Sequence, residues 1–244
     1  LIELRQTDRV AEISLNRPDK RNALNAELCG ALVSAFEAAD ADPGIGAILL
    51  RGNGPAFCAG MDLREAVETD SNRLAEIHER LFTVIDRMNK PVVAAVRGAA
   101  LAGGTGLAAN AHIVVAAPDA KFGLTEIRIG LWPVLVFRAC VLAMGERRAT
   151  ELSLTGRVIS AEQAREYGLV TEVAADPQTR ALELAVMLSE QSAAAMSAGL
   201  GYVRSIRGLD WPAAGALGRE VRAGMMSHPD FLGRARAFLD KRPQ

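Results

Sequence analysis

Apolar residues recur in strand-like fashion over Leu1–Arg5 and Val10–Leu15, which predicts two strands joined by a polar turn at Thr7-Asp8, a hairpin. Asn16-Arg17-Pro18-Asp19-Lys20-Arg21-Asn22 reads as a polar, proline-containing loop. Asn25 then caps a helix with Glu27 in its first turn, and Leu28, Leu32, Phe36 and Ala39 fall on one face. Asp42-Pro43-Gly44 ends that helix before a continuous apolar strand, Ile45–Leu50. A second amphipathic helix carries Leu74, Ile77, Leu81, Ile85 and Met88 in one stripe, and Pro91 stops it. Val92–Val96 and Ile113–Ala117 read as buried strands on either side of a glycine-rich stretch. The first half therefore repeats strands followed by a helix about three times, with no repeat at the level of residues.

The second half is mainly helical. Phe137–Met144 and Glu146–Leu154 are predicted helices separated at Gly145. Ser160-Ala161-Glu162-Gln163 is a capping box, Gly168 is a helix stop, and Leu169–Val173 returns as a strand. Asp176-Pro177 opens a long helix, and the chain stays helical to Lys241 with breaks near Gly208 and Pro229. Apolar faces in this last third serve either subunit contacts or the chain's own core.

Composition narrows the class. The 244 residues are 50% hydrophobic with a net charge of −1, enough chain for a sizeable core. Scattered basic residues give no field that invites nucleic acid or an acidic membrane. Arg, Asp or Gly interrupts every apolar run before membrane-spanning length. Cys29, Cys58 and Cys140 form no CxxC pair, which argues against a disulfide framework or a zinc site. With no cleavable signal in the pattern, a reducing, cytoplasmic location is expected.

Chemistry concentrates in Ala99-Ala100-Leu101-Ala102-Gly103-Gly104-Thr105-Gly106-Leu107-Ala108-Ala109. Glycines between a strand and a helix bring backbone amides close to a ligand, either a phosphate or a developing oxyanion. Gly104–Ala109 matches the dinucleotide pattern G-x-G-x-x-A, and Glu126 lies twenty residues after Gly106. The context opposes that reading: Arg97–Ala102 separates the strand from the glycines, and the helical pattern Leu107–His112 spans barely two turns. An oxyanion hole needs two convergent N–H donors, and Ala56-Phe57-Cys58-Ala59-Gly60-Met61-Asp62 offers a second small-residue loop after a strand.

These two loops, in order with Leu15-Asn16-Arg17-Pro18, Arg21-Asn22-Ala23-Leu24-Asn25, Phe122-Gly123-Leu124-Thr125-Glu126, Leu154-Thr155-Gly156 and Ala237–Arg242, resemble the enoyl-CoA hydratase/isomerase (crotonase) superfamily over nearly the whole chain. The resemblance implies an α/β fold, a spiral of strand-strand-helix turns over residues 1–190. It also implies a helical region, 191–244, that trimerises, commonly into a dimer of trimers. It implies an acyl-CoA thioester as substrate, no separate cofactor because coenzyme A is part of that substrate, and no metal. On matching positions, the N–H groups of Met61 and Gly103 would form the oxyanion hole. Gly60 and Gly104 would bring backbone to the thioester, with Ala59 beside them. Arg21, Asn22 and Ala23 with Asp62 and Leu63 would line the nucleotide end, Trp132 would shape or pack the acyl pocket, and Phe238 and Lys241 would reach CoA from a neighbouring subunit.

Hydratases of that family use two glutamates. The second matches Glu126; the first falls at Gly106, which has no side chain. One glutamate still suffices to move a proton between carbons, so Δ3,Δ2 double-bond isomerisation is slightly favoured over hydration. Val134 stands near the aspartate of dienoyl-CoA isomerases and argues against that branch. A catalytically silent acyl-CoA-binding subunit and, more remotely, a dinucleotide-binding protein are the alternatives. Asp62 reads as a solvated loop charge, His78 as lying on the polar side of its helix, and Cys58 as a small packing residue.

Overall fold

A computed structural model describes residues 1–240. The hairpin forms from β1 (Ile2–Thr7) and β2 (Val10–Leu15), paired antiparallel with Thr7 opposite Val10. The side chain of Asn25 accepts a hydrogen bond from the Leu28 N–H and starts α1 (Ala26–Ala41), whose Leu28, Leu32, Phe36 and Ala39 are all buried. Then come β3 (Ala47–Gly52), β4 (Ala56–Cys58), α2 (Leu63–Glu68) and α3 (Ser71–Val84). The next turn is β5 (Val92–Val96), β6 (Ala99–Leu101) and α4 (Gly103–Asn110); after it come β7 (Ile113–Ala116), β8 (Lys121–Gly123) and α5 (Val134–Met144). The chain continues as α6 (Glu146–Thr155), β9 (Ile159–Ser160), α7 (Ala161–Tyr167), β10 (Glu172–Val173) and α8 (Pro177–Ser189), then α9 (Ala193–Ser205), α10 (Trp211–Ser227) and α11 (Pro229–Asp240).

The repeat has a simple spatial meaning. Each turn places one longer strand in a six-stranded sheet, β1-β2-β3-β5-β7-β10, and one short strand in a four-stranded sheet, β4-β6-β8-β9. A helix then carries the chain back. The central strands β3, β5 and β7 are buried on both faces, which explains why they read as apolar runs, whereas the edge strand β1 is largely exposed. Ile48, Leu50, Val92, Ala94 and Val96 face the main core, while Ala47, Leu49, Val93 and Ala95 face Ala181 and Ala185 of α8.

Several boundaries differ from expectation for local reasons. β3 starts at Ala47, where pairing with Val10 begins; at Gly46 the Ser189 end of α8 comes so close that a Cβ would stand 2.6 Å from the Ser189 carbonyl oxygen. The strand expected over Leu169–Val173 shrinks to Glu172–Val173, because the Leu169 and Val170 N–H groups instead donate to Ala164 O and close the end of α7. The helix from Pro177 is interrupted at Glu190–Ser192, where the Ser192 side chain caps α9. The strands of the small sheet, three residues or fewer each, carry no periodicity that sequence could reveal. None of α9, α10 and α11 contains a fully buried residue. No helix among the described residues is long and apolar enough to cross a membrane.

Candidate active site

The small sheet assembles the site. β4, β6 and β8 are neighbours and parallel, and Met61, Gly103 and Glu126 each follow closely on one of them. Adjacent strands lie about 4.8 Å apart, so three groups distant in sequence emerge side by side at the carboxyl ends of parallel strands.

Two peptide units there aim their N–H groups outward. Leu24 pairs with Met61 in parallel fashion: Leu24 N–H donates to Gly60 O at 2.8 Å and Asp62 N–H to Leu24 O at 2.9 Å. Gly60 C=O and Met61 N–H belong to one planar trans peptide, so tying the carbonyl to Leu24 turns the Met61 N–H the opposite way. The second unit is Ala102–Gly103. Gly106 N–H donates to Ala102 O at 3.1 Å, leaving the Gly103 N–H as the first orphan donor of α4, a helix without a side-chain cap. Neither N–H has an acceptor among the described residues. The two loops touch: a Cβ on Gly60, whose φ is +94°, would stand 2.9 Å from Ala102 Cβ and 3.4 Å from Gly103 N. Leu24 and Phe82 close the other side, each 3.2 Å from a Cβ built on Gly103.

Glu126 opens a short 3-10 turn after β8 and is half-buried. Its Oε2 is buried with no hydrogen-bond partner, and burial pushes its carboxyl above the usual glutamate range against a small opposing pull from its own backbone. It is therefore no exposed helix-end acid. Cys140 lies close enough for Glu126 to help raise its thiol, which burial chiefly pushes to about 12. One turn before Cys140, Val136 fills the space beside Gly106: a Cβ built there would meet Val136 Cγ1 at 2.2 Å and Cβ at 2.3 Å.

Other expected residues sort differently. Asn22 does not line a ligand path with its side chain, which is fully buried. Its Oδ1 accepts from Arg17 N–H at 2.8 Å, and its Nδ2 donates to Asn53 O and Ala56 O at 2.9 and 2.8 Å. It is the bracket of the 17–25 loop. Asn22→Ala leaves these groups unpaired and is expected to cost about 2–3 kcal/mol, read in urea melts. Arg21 and Ala23 flank it, Arg21 exposed and Ala23 partly so, and the Arg21 carbonyl accepts from Ala59 N–H. Asp62 is not a solvated charge: Arg17 donates to its Oδ2 at 3.1 Å, and its Oδ1 caps α2 through Arg64 N–H. Burial would raise its carboxyl, but the Arg17 guanidinium and the α2 amides outweigh that and hold it below the usual aspartate range.

His78 is buried rather than on a polar face, its ring 6.2 Å from that of Phe82. Leu63 is exposed. Trp132 is exposed with its ring 6.0 Å from Phe137. Phe238 is 61% exposed on α11, and Lys241 lies outside the described residues. Sequence reasoning missed Arg17, Leu24, Phe82 and Val136 as parts of the site; Arg17 and Leu24 stood in motifs that carry the resemblance, Phe82 and Val136 in none.

Two of the three glycines serve packing within the protein. A Cβ on Gly104 would stand 2.1 Å from Cys58 O, so Gly104, like Gly106, approaches protein rather than ligand. The interval Arg97–Ala102, expected to separate strand from glycines, holds a strand of its own, β6, yet α4 runs only from Gly103 to Asn110.

A model of the enoyl-CoA hydratase/isomerase family matches residues 5–230. The chain is 36% identical to a 2,3-dehydroadipyl-CoA hydratase of Escherichia coli, over 99% of this chain and 96% of that protein. It is 35% identical to an enoyl-CoA hydratase of Mycobacterium tuberculosis, over 94% and 90%. The crystal structure of an enoyl-CoA hydratase from Mycobacterium smegmatis superposes with a TM-score of 0.92 at 32% identity, covering 100% of this chain and 98% of that one.

Proposed function

The chain belongs to the enoyl-CoA hydratase/isomerase family and has its crotonase-like fold, and from that premise we propose that it moves a proton on an enoyl-CoA thioester with Glu126 as the only acid/base. The thioester oxygen sits between the N–H groups of Met61 and Gly103. Glu126 removes a proton from the α-carbon of a 3-enoyl chain; the enolate charge collects on the oxygen; the same carboxyl returns the proton to the γ-carbon. The double bond moves from C3–C4 to C2–C3 with no net gain or loss of atoms. Each amide donor in a dry site stabilises the enolate by about 3 kcal/mol. The steps need no cofactor beyond the CoA that arrives with the substrate. Arg21, Ala23, Ala59 and Leu63 belong to the wall at the nucleotide end, with Trp132 beside the acyl chain.

The observation that carries this choice is Val136 against Gly106: apolar side chain fills the place where a second acid would stand. A second reading, hydration, is favoured by the hydratase names of the relatives and asks Glu126 to handle water alone. Parallel assays with 3-enoyl-CoA and trans-2-enoyl-CoA decide. Double-bond migration at the faster rate is expected; hydration alone overturns the isomerase choice. CoA-ester binding without turnover of either supports a silent binding subunit.

We also propose self-association, as a trimer or dimer of trimers, through the helical C-terminal region. Its helices leave Trp211 92% exposed, with Phe231, Leu232, Phe238 and Leu239 also exposed. Light scattering on the eluting protein is expected to give three or six chains, and a monomer at micromolar concentration overturns this. Phe238 and Lys241 would then serve a neighbouring chain's CoA. Three buried, free cysteines suit a reducing compartment such as the cytoplasm.

A further inference from the structure

The Met61 N–H is the end of a chain of bonds that starts at a charge. Arg17 Nη1 donates to Ala23 O at 2.5 Å. Ala23 C=O and Leu24 N–H are the two ends of one peptide, and Leu24 N–H donates to Gly60 O at 2.8 Å. Gly60 C=O and Met61 N–H are again the two ends of one peptide. All these peptides are trans, so within each the carbonyl and the N–H point in opposite directions and the dipoles line up head to tail. The path runs guanidinium, peptide 23–24, peptide 60–61, oxyanion.

We propose that Arg17 is a positioning residue for catalysis, which aims and polarises the Met61 N–H through this two-peptide relay. The inference rests on the reading of Met61 as an oxyanion donor.

Physical reasons support a role beyond a surface staple. Hydrogen bonds in series polarise one another, more so out of water, and a cation at the head of the series draws electron density from every carbonyl along it. The donor at the far end becomes a better donor when negative charge develops on the thioester oxygen. Geometry works in the same sense. The other arm of the fork, Nη2, holds Asp62 Oδ2 at 3.1 Å, so Arg17 grips the residue before Leu24 and the residue after Met61. Asp62 in turn donates its N–H to Leu24 O and accepts from Arg64 N–H, which leaves Met61 little freedom to rotate. Arg17 and Asp62 keep only 15% and 18% of their side-chain surface exposed, which limits screening by water. A planar fork makes both contacts at once; an ammonium is a single point.

The test reads the thioester carbonyl directly. An isotope-labelled carbonyl in a trans-2-enoyl-CoA is bound to the Glu126→Gln protein, and its infrared stretch is compared with that of the free ester. A shift to lower frequency reports the two amide donors; its absence defeats the oxyanion reading itself. Given that shift, Arg17→Met in the same background is expected to return the stretch part-way to the free value, with Arg17→Lys between the two. An unchanged stretch in Arg17→Met overturns the relay while leaving the oxyanion reading intact. With Glu126 present, Arg17→Met is expected to lower kcat by about 10–100-fold, with KM held within about threefold. A loss confined to melting temperature, with kcat and the carbonyl stretch unmoved, makes Arg17 structural only. Should Arg17→Met fail to fold, Arg17→Lys decides: a stretch equal to that of the parent overturns the proposal.

Discussion

Glu126→Gln is expected to lower kcat by about 10²–10⁴-fold while the protein melts at the same temperature or higher. On the proposed mechanism the loss of rate follows from removing the carboxyl that would move the proton, a term of that size in general acid–base catalysis. The gain in stability follows from linkage. Burial raises the Glu126 carboxyl above its usual range, so the folded protein holds that proton more tightly than the unfolded chain does. The favourable contribution is complete below the unfolded value and is lost as pH rises through the raised one. Above the raised value the charged, partnerless Oε2 therefore works against folding, and a neutral amide removes that penalty. A calorimetric scan and a rate assay on the same sample check both signs. The same shift predicts that the acid limb of kcat/KM in the parent protein lies above the ordinary glutamate range and disappears with Glu126→Gln. A variant that loses rate and stability together contradicts the assignment, because a merely structural glutamate loses both.

The second large effect is a substitution that fails alone and succeeds in one particular pair. Gly106→Ala places a carbon 2.2 Å from Val136 Cγ1. Alanine is the better helix former by about 1 kcal/mol, yet overpacking is expected to win and destabilise the protein by about 1–3 kcal/mol. Gly106→Glu adds a buried charge to that clash. Val136→Ala does not relieve it, since Val136 Cβ itself lies 2.3 Å from the new carbon. Only Val136→Gly removes both contacts. Gly106→Glu with Val136→Gly is therefore expected to fold where Gly106→Glu with Val136→Ala does not, and to raise hydration of trans-2-enoyl-CoA relative to isomerisation. Equal folding of the two pairs, in urea titrations, sinks the packing argument.

Helix starts were legible because a cap is local: Asn25, Ser160 and Asp176 each bond to an N–H within three residues. The buried stripe Leu74, Leu81, Ile85, Met88 was legible because periodicity reports burial. The small sheet was not, since a strand as short as Ala99–Leu101 has no period, and its parallel neighbours lie dozens of residues away. The site inherits that limit. Met61 and Gly103 were reached through a resemblance, while Val136 and Phe82 have no mark of their own and acquire meaning only where another turn of the spiral passes them. His78 misled only in its placement: its neighbours in sequence put it on the polar side of its helix, whereas it is buried with its ring beside that of Phe82.

Ala102 stands at φ +50° and ψ −120°, a backbone region that costs a non-glycine residue about 1–3 kcal/mol. Glycine there would relieve the chain, and a search for stabilising substitutions would offer it early. The methyl group nevertheless excludes any side chain at residue 60, where a Cβ would lie 2.9 Å away. Position 60 is closed three times over: by that methyl, by the Leu101 carbonyl oxygen 3.0 Å from the same Cβ, and by its own φ of +94°. Ala102→Gly therefore opens no room for a side chain at 60, and its effect is confined to relief of the strained backbone that leads into the Gly103 N–H.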